Sequence, residues 1–243
     1  PALSRLLSAS EHNSLGSLTF ERLTFAEEHW LALTAARELD LDIVFESCTI
    51  ETGYGAFLDF LQQAGGAISL CSCTIDAETL ACALRGNTSI SELRLHTYEA
   101  DSDYISTVAH ALAENEGLES LYLAGGVYIN DETWKTLFRS IQNHPQLETL
   151  GLIRTGGLAT TLSAESKTAR MQAIVDMLQS PNQVIRRITL SEDEQDAQIY
   201  QESILPHLQA NIYRPRVQRI QQTRDRSRKE GLLGRALYTV RHQ

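Results

Sequence analysis

"LESLYLAGG", residues 118–126, places Leu118, Leu121 and Leu123 in an L-x-x-L-x-L spacing. Alone, that spacing describes any half-buried strand, with alternate residues on one face. It does not stand alone. Full copies are "LGSLTF" (Leu15, Leu18, Phe20), "ISELRL" (Ile90, Leu93, Leu95), "LETLGL" (Leu147, Leu150, Leu152) and "IRRITL" (Ile185, Ile188, Leu190). Two shorter copies keep the last pair: Ile43 with Phe45, and Ile68 with Leu70. The middle position therefore falls at 18, 43, 68, 93, 121, 150 and 188, at intervals of 25, 25, 25, 28, 29 and 38 residues. Chance does not readily produce three equal intervals followed by two nearly equal ones.

Between the strands the apolar period changes from 2 to 3.6. Trp134, Leu137, Phe138 and Ile141 share one helical face, as do Ile105, Val108, Ala109 and Leu112, and Met171, Ile174, Val175 and Leu178. Phe57, Leu58 and Leu61, then Leu80 and Leu84, form shorter versions. Asp76, Asp101 and Asp131 stand where helices should begin, as expected of residues that accept a bond from an orphan N–H. The longest interval contains the insertion "TGGLATTLSAESK".

Strand, turn and helix repeating at this period is the signature of leucine-rich repeats. From about residue 3 to 213 the chain resembles the intracellular, ribonuclease-inhibitor-like members of that family. The family pattern continues L-x-x-N/C-x-L. Here Cys48 and Cys73 occupy the N/C position, Leu23 and Tyr98 occupy it in other copies, and no matched position holds asparagine. The resemblance implies an α/β solenoid, a curved right-handed stack of about seven repeats, with a degraded or replaced side-chain hydrogen-bond ladder. Cys48 and Cys73 are expected to be core thiols close enough to approach one another.

The 243 residues fall into a repeat unit, 1–213, and a basic segment, 214–243, expected to form a helical tail. Arg214, Arg216, Arg219, Arg224, Arg226, Arg228, Lys229, Arg235 and Arg241 face only Asp225 and Glu230 there, a net +7, which leaves -17 for the rest of the chain. The tail's apolar residues Leu233, Leu237 and Val240 suit a cap over the last repeat. Its arginines suit an acidic protein surface. RNA and anionic membrane surfaces rank lower, because Tyr213 and Tyr238 alone could stack on bases. No apolar run is long enough to span a membrane. Four cysteines in a chain this long read as thiols, and the expected setting is intracellular and cytoplasmic.

Nothing in the sequence matches a phosphate-binding loop, a dinucleotide fingerprint, a nucleophile elbow or a zinc-protease helix. Cys71-x-Cys73 lacks a second pair for zinc. "SEDEQD" reads as a capping box from Ser191 and Glu194 instead of a calcium loop. Asn87-Thr88-Ser89 is a glycosylation sequon that matters only in a secreted chain. The expectation is a non-catalytic protein-binding or assembly module without cofactor or metal. Its strand residues that alternate with the core positions would line the hollow of the stack, and Glu92, Arg94, His96, Tyr122, Ile153 and Arg187 are the candidate contact residues. The competing readings are an idle solvated sheet, and a nucleic-acid or anionic-membrane binder that uses the basic tail.

Overall fold

In a computed structural model, each copy of the opening pattern is a strand. Residues 17–35, 42–50, 53–96, 102–124, 130–153, 163–180, 184–190, 198 and 200–213 are described. The main strands are β1 (Ser17–Glu21), β3 (Asp42–Glu46), β5 (Gly66–Cys71), β6 (Ile90–His96), β7 (Ser120–Ala124), β8 (Thr149–Ile153) and β9 (Arg187–Leu190). Two short strands, β2 (Thr24–Phe25) and β4 (Thr49–Ile50), pair with each other. The helices are α1 (Glu27–Ala35), α2 (Tyr54–Gln63), α3 (Ala77–Leu84), α4 (Ser102–Leu112), α5 (Asp131–Ile141) and α6 (Ala164–Leu178). A π-helical turn, Tyr200–Ile204, leads into a seventh helical stretch, 205–213.

The seven main strands form one all-parallel sheet in the order β1-β3-β5-β6-β7-β8-β9. Their register is the register of the sequence repeat. Leu18, Ile43, Ile68, Leu93, Leu121, Leu150 and Ile188 face one another in a single row. Phe20, Phe45, Leu70, Leu95, Leu123, Leu152 and Leu190 form the next inward row. Both rows join the apolar helix faces in one core, in which Leu93, Leu121 and Leu150 are almost wholly shielded from solvent. In the first repeats the core is aromatic: Trp30 lies against Phe25, Phe57 and Phe60, and Phe45 stacks on Phe20.

After each of the first strands the chain turns through a left-handed residue, Arg22, Ser47 or Ser72, all at φ 53°. That conformation is costly for a residue with a Cβ. It aims each N–H at the last strand carbonyl of the following repeat: Arg22 to Glu46, Ser47 to Cys71 and Ser72 to His96, at 2.6–2.8 Å. The next residues are Cys48 and Cys73. Their thiols donate to Phe20 O at 3.3 Å and Phe45 O at 3.4 Å, one repeat back. Of the two expectations, a degraded or a replaced ladder, these repeats show the second, with thiols as donors. Both cysteines are free, and burial pushes the Cys73 thiol up to about 11, which keeps its proton on the donor.

Asparagines do form a ladder, but on the other side of the strand, at the start of β6 and β7. Asn87 and Asn115 stand three residues before Ile90 and Leu118. Each Oδ1 accepts two backbone N–H groups of the turn: Ser89 and Ile90 for Asn87, Gly117 and Leu118 for Asn115. The side-chain amides reach back to Leu61 O, and to Leu84 O and Asn87 O. His144 holds the same place before Leu147, with Nδ1 accepting from Gln146 and Leu147. Asn87 is buried and committed to these bonds, so in the folded chain its amide is closed to the glycosylation that its sequon allows.

Asp76 caps α3 as expected, with Oδ1 accepting from Thr79 N at 2.8 Å. Asp131 does not cap α5. Asn130 accepts from Thr133 N instead, and the reason is that Asp131 is engaged elsewhere. Its carboxylate accepts from Arg170 Nε at 2.9 Å and from the Ser166 hydroxyl at 2.8 Å, both on α6. The guanidinium of Arg170 also lies 5.2 Å from the Trp134 ring centroid. Arg170 beside Asp131 holds that carboxyl below its ordinary range. Replacing Asp131 with Ala should cost about 1.5–3 kcal/mol, the scale of a charged hydrogen bond, read as a lower urea midpoint at pH 7. Asp101, Tyr98, Leu15, Ser191, Glu194 and the segment 214–243 lie outside the described residues, so the expected cap, box and helical tail are not described.

Candidate functional site: the outward face of the sheet

The residues that alternate with the core rows point away from the helices. Three outward rows result, and the repeat register sets each of them. The middle row runs Thr19, Val44, Ser69, Arg94, Tyr122, Gly151, Thr189. On one side lie Glu21, Glu46, Cys71, His96, Ala124 and Ile153. On the other lie Ser17, Asp42, Ala67, Glu92, Ser120, Thr149 and Arg187.

Three candidates named from the sequence meet at the central strands. Arg94 donates from Nε to Glu92 Oε1 at 2.5 Å, two residues along the same face of β6. Its guanidinium lies 5.1 Å from the centroid of the Tyr122 ring on the neighbouring strand. The carboxylate and the ring together hold a long side chain that is otherwise 57% exposed. Such a cation–π contact is worth about 0.5–1 kcal/mol at an exposed site. Its more useful effect is to remove side-chain freedom before any partner arrives. Among the described hydrogen bonds the Arg94 side chain uses Nε alone, so its terminal amino groups can still donate to a partner.

Gly151, one strand further, completes the arrangement. A Cβ there would lie 2.2 Å from Cδ1 of Tyr122. The ring therefore rests over bare backbone and lies across the sheet. Gly151 was not among the candidate contact residues. Its signal was the register, which sets a glycine beside a tyrosine.

The other candidates are dispersed. His96 is half-buried at the end of β6. Ile153 pairs through its backbone with Ala124, and its side chain lies outside the described residues. Arg187 is exposed on the last strand, three strands from Glu92 in the same row. The face begins acidic, since Glu21, Asp42 and Glu46 are exposed. Among the described residues no group of three or more His, Cys, Asp or Glu side chains could hold a metal ion. No described helix is long and apolar enough to cross a membrane.

No protein-family model matches the sequence, and no curated protein matches it. A solved structure does match: "Leiomodin-1 Actin-Binding Site 2 (ABS2)", with a TM-score of 0.51 and 16% identity, covering 69% of this chain and 94% of that one. The likeness is one of fold. It accords with an α/β repeat architecture, in which a parallel sheet forms one layer and helices the other.

Proposed function

We propose that this chain is a non-catalytic, leucine-rich-repeat solenoid of the ribonuclease-inhibitor-like kind that binds a partner protein on the outward face of its sheet. The observation that carries this reading is the Glu92–Arg94–Tyr122 platform seated on Gly151. Arginine and tyrosine are the residue types that most often dominate protein interfaces. Here they are fixed in place on rigid strands, so little side-chain entropy remains to be lost on binding. The solved neighbour is an actin-binding site of leiomodin-1, which supports protein binding as the class of function without carrying its partner across.

The test is capture from a native extract, followed by affinity measurement with the captured protein. Arg94→Ala and Tyr122→Ala should each weaken binding at least about ten-fold, or about 1.4 kcal/mol, while the melting temperature stays within a few degrees. Full binding by both variants, with loss on substituting exposed helix residues such as Arg139, would move the site to the helical side.

The charge split supports a second role for residues 214–243. A +7 segment on a chain of net -10 suits recruitment of an acidic protein, at a distance that salt shortens. Deleting 214–243 should remove a salt-sensitive part of the association. Steeply salt-dependent binding of RNA or anionic vesicles by the intact chain would favour the nucleic-acid or membrane reading instead.

A further inference from the structure

We propose that the segment seated on this face is a lysine-rich α-helix of the partner, laid across the strands, with a carboxylate on its following turns meeting Arg94. The proposal rests on the sheet face being the binding surface. Its first support is a lane in the middle row. Thr19, Val44 and Ser69 are small or neutral, and Ser69 is buried between its neighbours. Carboxylates rim the lane on both sides, Glu21 and Glu46 along one row and Asp42 and Glu92 along the other. Asp42 and Glu46 have no ion-pair partner among the described residues, whereas Glu21 is shared with Arg22 at 3.4 Å and Glu92 with Arg94 at 2.5 Å.

The lane then changes sign. On β6 the middle row reaches Arg94, with Nε on Glu92 and its guanidinium over the Tyr122 ring of the next strand. A partner matched to this row must be basic over β1 and β3, small over β5 and acidic over β6. Lysines suit the rims because their stems can lie along the lane while their ammonium groups reach carboxylates on either side.

Pitch selects a helix. Parallel strands lie about 4.8 Å apart, and one helical turn rises about 5.4 Å. A helix crossing the strands therefore offers roughly one turn to each strand. From β1 to β6 is three strand steps, about 14 Å, or about ten residues of helix. Lysines at i and i+3, a small residue at i+7 and a glutamate at i+10 fit that order. An extended peptide crossing the strands would need only about four residues for the same span, and its alternating side chains would present half of them to solvent.

Two synthetic helical peptides of identical composition test this directly. One carries Lys at i and i+3 with Glu at i+10. The other exchanges the second lysine with the glutamate, giving Lys at i and i+10 with Glu at i+3, so that a lysine meets Arg94 whichever way the helix runs. Fluorescence anisotropy with the full chain should give at least ten-fold tighter binding for the first. Asp42→Lys with Glu46→Lys should remove most of its affinity, and Arg94→Glu should abolish the preference for charge order. Equal affinity of the two peptides, or a preference that survives Arg94→Glu, overturns the proposal. If neither peptide binds while the captured partner still depends on Tyr122, the helix proposal falls and the sheet-face reading stands.

Discussion

Replacing Leu121 with Asp should remove about 4 kcal/mol or more of stability. Leu121 is 0% exposed at the centre of the inward row, between Leu93 and Leu150. Truncating a buried leucine costs about 2–5 kcal/mol, and an unpaired carboxylate adds desolvation that it escapes only by protonation or local unfolding. For a chain of this size each kcal/mol shifts the melting temperature by about 2–4 °C. The expected drop is therefore about 10 °C or more, or failure to fold. Tyr122, the next residue, points the other way, and Tyr122→Asp should cost only about 1 kcal/mol. Comparable losses in the two variants would contradict the strand register.

Acid should weaken the fold through His144, and His144→Asn should relieve it. Two backbone N–H groups face Nδ1, so the ring must be neutral with its proton on Nε2. That Nε2 is buried without a partner. Burial lowers the pKa from 6.5 to about 4. The unfolded chain thus binds the proton more readily, and stability is complete above 6.5, falls as pH drops toward 4, and then levels off. The total is at most about 3 kcal/mol, at 1.36 kcal/mol per unit. Asparagine, as at position 115, accepts the same two N–H groups without titrating. Urea midpoints of wild type and variant should agree near pH 7 and diverge as pH falls to 4. The lowered carboxyls of Asp76 and Asp131 lose their contribution below this window. Parallel pH profiles for the two chains would show that His144 does not control this limb.

The fold was legible because one spacing repeats, and a repeated spacing constrains strand, register and neighbour at once. The row from Leu18 to Ile188 in the sheet is the row counted along the sequence. The Arg94–Tyr122 contact was within reach for the same reason, since adding one interval aligns the two residues. Gly151 was harder, because what it contributes is the lack of a side chain. The turn ladder of Asn87, Asn115 and His144 was missed although its signal, a polar residue three before the first apolar position, was present. Asp131 misled because a cap and its first helical neighbour are both commonly acidic or amide residues. Only a partner on α6, 39 residues away in sequence, separates the two roles.

The shared register also defines how such a chain can change length. Excising residues 43–67, one interval from Ile43 to the residue before Ile68, would bring Ile68 to the place beside Leu18 that Ile43 now holds. The inward rows would keep their order, and the turn at Ser72 would replace that at Ser47. Whole intervals can in principle be gained or lost as units, whereas a one-residue deletion within a strand reverses every side chain beyond it. The architecture is therefore tolerant of large, periodic edits and intolerant of small ones.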